Sequence, residues 1–152
     1  MQSTEQILAS TPGSSQLPSS TQTPSRVLVV EPHPTLRTVL VQRLRQDGHL
    51  AAAVGSAAEA VDLCREQSPD LLVSAEILEQ NTAMRLAQQL GCSVIVLTAR
   101  SGVEALVNLL DEGADDVLRK AFGLEELAAR CRTLLKRGRI GLQEKVEVGP
   151  LE

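Results

Sequence analysis

Between Arg26 and Arg137, short apolar runs alternate with stretches of helical periodicity. Arg26-Val-Leu-Val-Val30 is continuous and β-branched, the pattern of a strand buried on both faces. Pro34 opens a helix whose residues Leu36, Val39, Leu40 and Leu44 form one apolar stripe, and Gly48 ends it. Ala51 to Val54 predicts a second strand. Ser56 and Glu59 have the spacing of a capping box, for a helix that turns Ala60, Leu63 and Cys64 inward. Pro69-Asp70 breaks the pattern, and Leu71 to Ala75 predicts a third strand. A short helix follows from Ala83 to Leu90, stopped by Gly91, and then a fourth strand from Ser93 to Leu97. Ser101 with Glu104 predicts another capping box, for a helix reaching Asp111 and closed by Gly113. Val117 and Leu118 make a short fifth strand. Leu124 to Arg137 is a last helix with Leu127, Cys131, Leu134 and Leu135 on one face. This alternation implies a parallel sheet covered on both faces by helices.

Composition narrows what such a domain can do. Residues 1–25 are mostly Ser, Thr, Gln and Pro, too poor in apolar surface to offset the entropy of ordering, and are expected to form a disordered tail. The net charge of −4 gives no basis for strong binding to nucleic acid. Phe122 is the only aromatic residue, which argues against stacking on bases, sugars or flavins. Cys64, Cys92 and Cys131 are scattered within apolar segments, and His33 and His49 are isolated, so no metal-ligand spacing occurs. Buried free thiols, apolar runs too short for a membrane span and no signal-peptide pattern lead to the expectation of a cytoplasmic protein.

Four segments carry a resemblance to a known family: Val27-Leu-Val-Val-Glu-Pro-His-Pro34, Pro69-Asp-Leu-Leu-Val73, Val94-Ile-Val-Leu-Thr-Ala-Arg100 and Gly113-Ala-Asp-Asp-Val-Leu-Arg-Lys-Ala-Phe122. Together they resemble the receiver domain of bacterial response regulators of the OmpR/PhoB type. The resemblance implies an α/β, flavodoxin-like (βα)5 three-layer sandwich over residues 26–137, with a parallel five-stranded sheet in the order 2-1-3-4-5. Residues 138–152 resemble an interdomain linker and the opening strand of a winged-helix DNA-binding domain, which would lie beyond this chain.

Receivers of this family accept a phosphoryl group on an aspartate at the end of the third strand. A divalent cation neutralises the phosphoryl oxygens, and two acidic residues after the first strand help to hold it. Carried over residue by residue, the acidic pair falls on Glu31 and Pro32, the acceptor on Ala75, the switch hydroxyl on Thr98 and the conserved-type lysine on Lys120. Ala75 has no nucleophile and Pro32 no carboxylate, so the resemblance implies a degenerate phosphorylation pocket. Ala121 stands where the family has a proline after its lysine, and Glu79 where a proline often follows the acceptor. If the third strand slipped by one residue, Glu76 would take the acceptor position, at the expense of exchanging buried and exposed faces. The stretch from Ala75 to Thr98 is also about one helical turn shorter than is usual for the family.

The family pairs through its fourth helix, fifth strand and fifth helix. The matching positions are Leu106, Asp111, Asp115, Asp116, Val117, Glu126, Arg130 and Arg132. Leu106 replaces a basic residue and Val117 an aromatic switch residue, and both are expected to add apolar surface to that face. The functional expectation is a phosphorylation-independent receiver that needs no cofactor, is not an enzyme and serves dimerisation or partner binding in a transcription regulator. DNA would be contacted only through a further domain. Alternatives are phosphorylation at an unusual acceptor, or small-molecule sensing in the vacated pocket.

Overall fold

A computed structural model of the chain describes the backbone of residues 23–148 and the side chains of residues 23–138. The elements, in order, are β1 (Arg26–Val30), α1 (Pro34–Gln46), β2 (Leu50–Val54), α2 (Ala57–Leu63), β3 (Leu71–Ala75), β4 (Ile77–Leu78), β5 (Asn81–Thr82), α3 (Ala83–Leu90), β6 (Ser93–Thr98), α4 (Val103–Asp111), β7 (Asp116–Arg119) and α5 (Leu124–Val148). Five parallel strands form one sheet in the order β2-β1-β3-β6-β7, which is 2-1-3-4-5 when its own strands are counted. This is the flavodoxin-like α/β arrangement implied by the sequence.

The strands are apolar on both faces because both faces are covered. Leu28, Val30, Leu72, Val94 and Val96 pack with α2, α3 and α4, including Ala60, Leu86 and Leu109. Val27, Val29, Leu71, Val73, Ile95 and Leu97 pack against α1 and α5 through Leu40, Leu44, Leu127 and Cys131. Among the described residues no helix is long and apolar enough to cross a membrane. Burial pushes the Cys131 thiol up to about 12 and the Cys92 thiol up to about 11, so both stay protonated as small apolar side chains.

Several local expectations are corrected. Leu63 does not turn inward; it is exposed, and α2 buries Ala57 and Ala60 instead. The helix ends at Leu63, and the core position of its last turn is taken by the following Cys64, which is half-buried against the same cluster. The Ser56 half of the expected capping box forms, with Ser56 Oγ accepting from Glu59 N–H at 3.2 Å, while Glu59 Oε1 reaches past Ser56 to accept from Gly55 N–H at 2.9 Å. The Ser101–Glu104 box does not form. The residue before α4 is Gly102, at φ 96°, and no side chain caps that helix. Between β3 and α3 the chain makes a two-residue antiparallel pair, β4 with β5, that periodicity did not reveal. Thr82 then caps α3 by accepting from Arg85 N–H at 3.3 Å, and Gly91 ends it in the left-handed conformation at φ 71°.

Both chain ends also differ from expectation where they are described. Ser25 belongs to the folded part: it is buried, and its carbonyl accepts from Leu50 N–H at 2.8 Å. Residues 1–22, which hold most of the expected tail, lie outside the described residues. The last helix does not stop at Arg137. It runs to Val148, through the segment read as a linker and the beginning of a strand, while residues 149–152 lie outside the described residues.

Candidate functional site

The carboxyl edge of the sheet gathers the residues singled out for chemistry, because β1, β3, β6 and β7 run parallel and all end there. Glu31 follows β1 and is buried, its side chain 2% exposed. Lys120 follows β7, and its Nζ donates to Glu31 Oε1 at 2.8 Å. The other carboxylate oxygen accepts from His33 N–H at 2.9 Å. A buried carboxylate needs this matching, since an unpaired charge away from water is strongly disfavoured. The Glu31 carbonyl in turn accepts from Arg37 Nη1 at 2.9 Å, which ties α1 to the end of β1. Pro32 is exposed and presents only its carbonyl, 3.4 Å from the same Arg37 nitrogen.

Ala75 is the last residue of β3, is buried and pairs with Leu97 of β6. On the other side Ser74 pairs with Val30, so Ala75 and Glu31 are the next residues along the two neighbouring strands. The register holds Ala75 in the strand and leaves Glu76 one residue beyond it, with Glu76 N–H donating to Leu97 O at 2.8 Å. Glu76 reaches the pocket without a strand slip. Its Oε1 accepts the Thr98 hydroxyl at 2.6 Å, and Arg100 Nη2 lies 2.7 Å from its Oε2. Lys120 N–H donates to Thr98 O at 2.8 Å, so the lysine and the switch hydroxyl sit on adjacent strand ends. Arg100, His33 and Arg37 were not singled out from sequence. Arg100 carried a faint signal, a base two residues past Thr98. The roles of His33 N–H and Arg37 depend on backbone geometry that spacing does not encode.

The expected interaction face is only partly assembled. Arg130 is held within the chain by Asp116 at 3.1 Å and Glu126 at 3.2 Å, and the Asp116 hydrogen bond raises its already high pKa. Asp115 turns to the opposite edge of the sheet, where its carboxylate accepts from Val94 N–H at 2.8 Å. Arg132 leans toward Asp47, 4.0 Å away at the end of α1. Asp111 is exposed at the end of α4. Val117 is buried and Leu106 is half-buried against the core, so neither supplies the apolar surface expected of it. The reason is strand and helix phase. Val117 faces the layer beneath α4, and Leu106 lies on the side of α4 that packs there. The exposed apolar residues of α4 are instead Val103, Val107 and Leu110. Of these only Leu110 borders a cavity of about 510 Å³ between α4, β7 and α5, with Leu106, Val117 and Phe122 also in its wall.

Among the described residues, no group of three or more His, Cys, Asp or Glu side chains is arranged to hold a metal ion. The pocket holds two acids, Glu31 and Glu76, and each is already matched by a cation of the chain.

Comparison with known proteins places this geometry. Residues 27–132 match the family described as Response regulator receiver domain. Response regulator MprA of Mycobacterium sp. (strain KMS) is 37% identical over 119 residues, covering 75% of this chain and 52% of the relative. Its counterpart in Mycobacterium avium (strain 104) is 37% identical over 117 residues, covering 74% and 51%. The chain thus spans about half the length of these curated relatives. The receiver domain of the Francisella response regulator 1452 superposes with a TM-score of 0.69 at 24% identity, covering 75% of this chain and 98% of that one. The signal receiver domain of a signal transduction histidine kinase from Syntrophus aciditrophicus gives 0.64 at 28% identity, covering 74% and 90%. With the matched family spanning every strand of the sheet and the pocket at its carboxyl edge, this chain belongs to the response regulator receiver domains of two-component signalling.

Proposed function

We propose that this receiver domain carries no phosphoryl signal and acts as a constitutive interaction module within a transcription regulator. The observation that carries the reading is Ala75 at the end of β3 beside a Glu31 already closed on Lys120 at 2.8 Å. Alanine offers no nucleophile to a phosphodonor. A divalent cation, which the family implies, does not fit the residues present. It would need oxygen ligands from several carboxylates, yet Glu31 is committed to Lys120 and His33 N–H, and Glu76 to Thr98 and Arg100. Pro32 and Ala75 add none, so no step through a metal ion is derived. The expected result of incubating the full chain with a small phosphodonor and Mg²⁺ is an unchanged intact mass. A stable gain of one phosphate, removable by hydroxylamine, overturns the reading.

The domain would act by pairing with a second copy through α4, β7 and α5, and any DNA contact would come from a further domain of the regulator. Val103, Val107 and Leu110 are the apolar contribution to that face, with the charges of Asp111, Asp116, Glu126 and Arg130 around it. Exposed ion pairs contribute ~0–1 kcal/mol each, so affinity rests on the apolar atoms at ~25 cal/mol per Å² buried. Pairing in the micromolar range is expected for the isolated domain. Sedimentation velocity over a concentration series reads it. Val107→Asp should abolish the concentration dependence, because Val107 is exposed and its replacement leaves the core intact. A chain that stays monomeric at high concentration, or a dimer indifferent to Val107→Asp, rules out this face.

A further inference from the structure

Thr98 has one hydroxyl proton, and Glu76 Oε1 takes it at 2.6 Å. The same hydroxyl oxygen accepts from Arg100 N–H at 3.0 Å. The Arg100 guanidinium then returns to the Glu76 carboxylate, with Nη2 2.7 Å from Oε2 and Nε donating to Oε1 at 3.3 Å. These contacts form a closed ring in which one carboxylate holds both the hydroxyl and the loop that follows it. The Glu76 side chain is only 14% exposed while its Arg100 partner is 47% exposed, so the carboxylate is sheltered on the Thr98 side and reaches solvent through the arginine. A carboxylate also offers the hydroxyl what a phosphoryl oxygen offers, an anionic acceptor that makes a short, charge-assisted bond.

The ring bears on α4 because nothing else caps that helix. Gly102 stands before it without a side-chain hydrogen bond. What steadies the first turn is the loop from Thr98 to Gly102, fixed by the ring at Arg100 and by Arg119 Nη2 donating to Gly102 O at 3.1 Å. The helix so positioned carries Val103, Val107 and Leu110 at the surface. Val117 on β7 is buried and aliphatic, so it offers no large ring to swing between inside and outside.

We infer that Glu76 is the positioning residue that holds Thr98 inward and, through the Arg100 backbone and guanidinium, fixes the beginning of α4 in one arrangement without a phosphoryl group. The coupling passes along the β6–α4 loop and bypasses β7. This inference rests on the reading that the pocket takes no phosphoryl signal and that α4 forms part of the interaction face.

Amide hydrogen exchange on the full, ¹⁵N-labelled chain tests it. Glu76→Ala removes the acceptor, and Glu76→Gln keeps its shape without its charge. In Glu76→Ala, exchange at the first hydrogen-bonded amides of α4, beginning with Leu106 N–H on Gly102 O, is expected to accelerate about 10- to 100-fold, as loss of a charge-assisted hydrogen bond implies. Glu76→Gln should shift the same amides less. Thr98→Ala should reproduce the Glu76→Ala pattern, Thr98→Ser should resemble the wild type, and the double alanine variant should add nothing to either single one. An unchanged α4 in Glu76→Ala, or additive effects of the two alanine changes, overturns the inference. So does equal acceleration of β1, β3 and α4 in both Glu76 variants, because the residue would then be merely structural. A phosphate gain in the mass experiment strikes the underlying reading instead and leaves the α4 measurement independent of it.

Discussion

Replacing Lys120 with methionine is expected to destabilise the domain by about 3 kcal/mol, while Glu31→Gln removes only about 1 kcal/mol. The two partners of one ion pair differ because their surroundings differ. The Glu31 side chain is 2% exposed and the Lys120 side chain 34%. Without Lys120 the Glu31 carboxylate keeps one hydrogen bond, from His33 N–H, and has no route to water. Without the Glu31 charge, the Lys120 ammonium can hydrate from its exposed side, and the glutamine carbonyl still accepts a hydrogen bond. Thermal unfolding should therefore show a drop of about 10 °C for Lys120→Met and only a few degrees for Glu31→Gln. Equal losses, or a Lys120→Met protein as stable as the wild type, would mean that Lys120 does not neutralise Glu31 in the folded state. The wild-type pair would then be available for other work, and the claim that the pocket is internally matched would fail.

Restoring phosphorylation should take two changes rather than one. Ala75→Asp supplies a nucleophile beside Glu31, at the residue following the Ser74–Val30 pair. The other two carboxylates of the pocket, Glu31 and Glu76, stay held by Lys120 and Arg100. Adding Pro32→Asp brings a further acid, unpaired and at an exposed position next to Glu31, and crowded carboxylates recruit a divalent cation to relieve their repulsion. A metal ion stabilises a transferring phosphoryl group by several kcal/mol. The double variant should thus label at least about a hundredfold faster than Ala75→Asp alone. The measurement is the rate of mass gain with a small phosphodonor, with and without Mg²⁺. Equal, rapid labelling of both variants would show that Pro32 is not what keeps the metal site from forming. Absence of labelling in both would point to the surviving Glu76–Thr98–Arg100 ring as a further obstacle, and Glu76→Gln in the double background then separates the two.

Both expectations draw on residues that the sequence alone could nominate. Glu31, Pro32, Ala75, Thr98 and Lys120 were legible through the resemblance to receiver domains, whose motifs sit at strand ends that short apolar runs mark locally. Five such runs with helices between them implied a parallel sheet covered on both faces, and the resemblance supplied its strand order. The same locality made the Ser56–Glu59 cap readable, since its partners are three residues apart and no other part of the chain competes for them.

Long-range side-chain pairing was not accessible in the same way. Glu76 lies 22 residues from Thr98, and Glu31 lies 89 residues from Lys120. The resemblance had placed the second pair, Glu31 and Lys120, in one pocket. Nothing in the spacing placed Glu76 on Thr98, because that contact depends on the chain leaving β3 into the β4–β5 turn. The directions of side chains on the expected interaction face were hidden for a related reason. Sequence assigns charges and apolar residues to an element, but their direction depends on how that element is rotated against the sheet. Val117 and Leu106 went inward, Asp115 went to a backbone N–H across the sheet, and Arg130 found Asp116 within the chain. What the sequence determined by itself was the alternating fold and the chemistry missing at positions 32 and 75, since a side chain that lacks a carboxylate lacks it in any conformation. Only the tertiary structure decided which charges neutralise each other, because ion pairing depends on distances of a few ångströms between strand ends that the chain brings together from far apart.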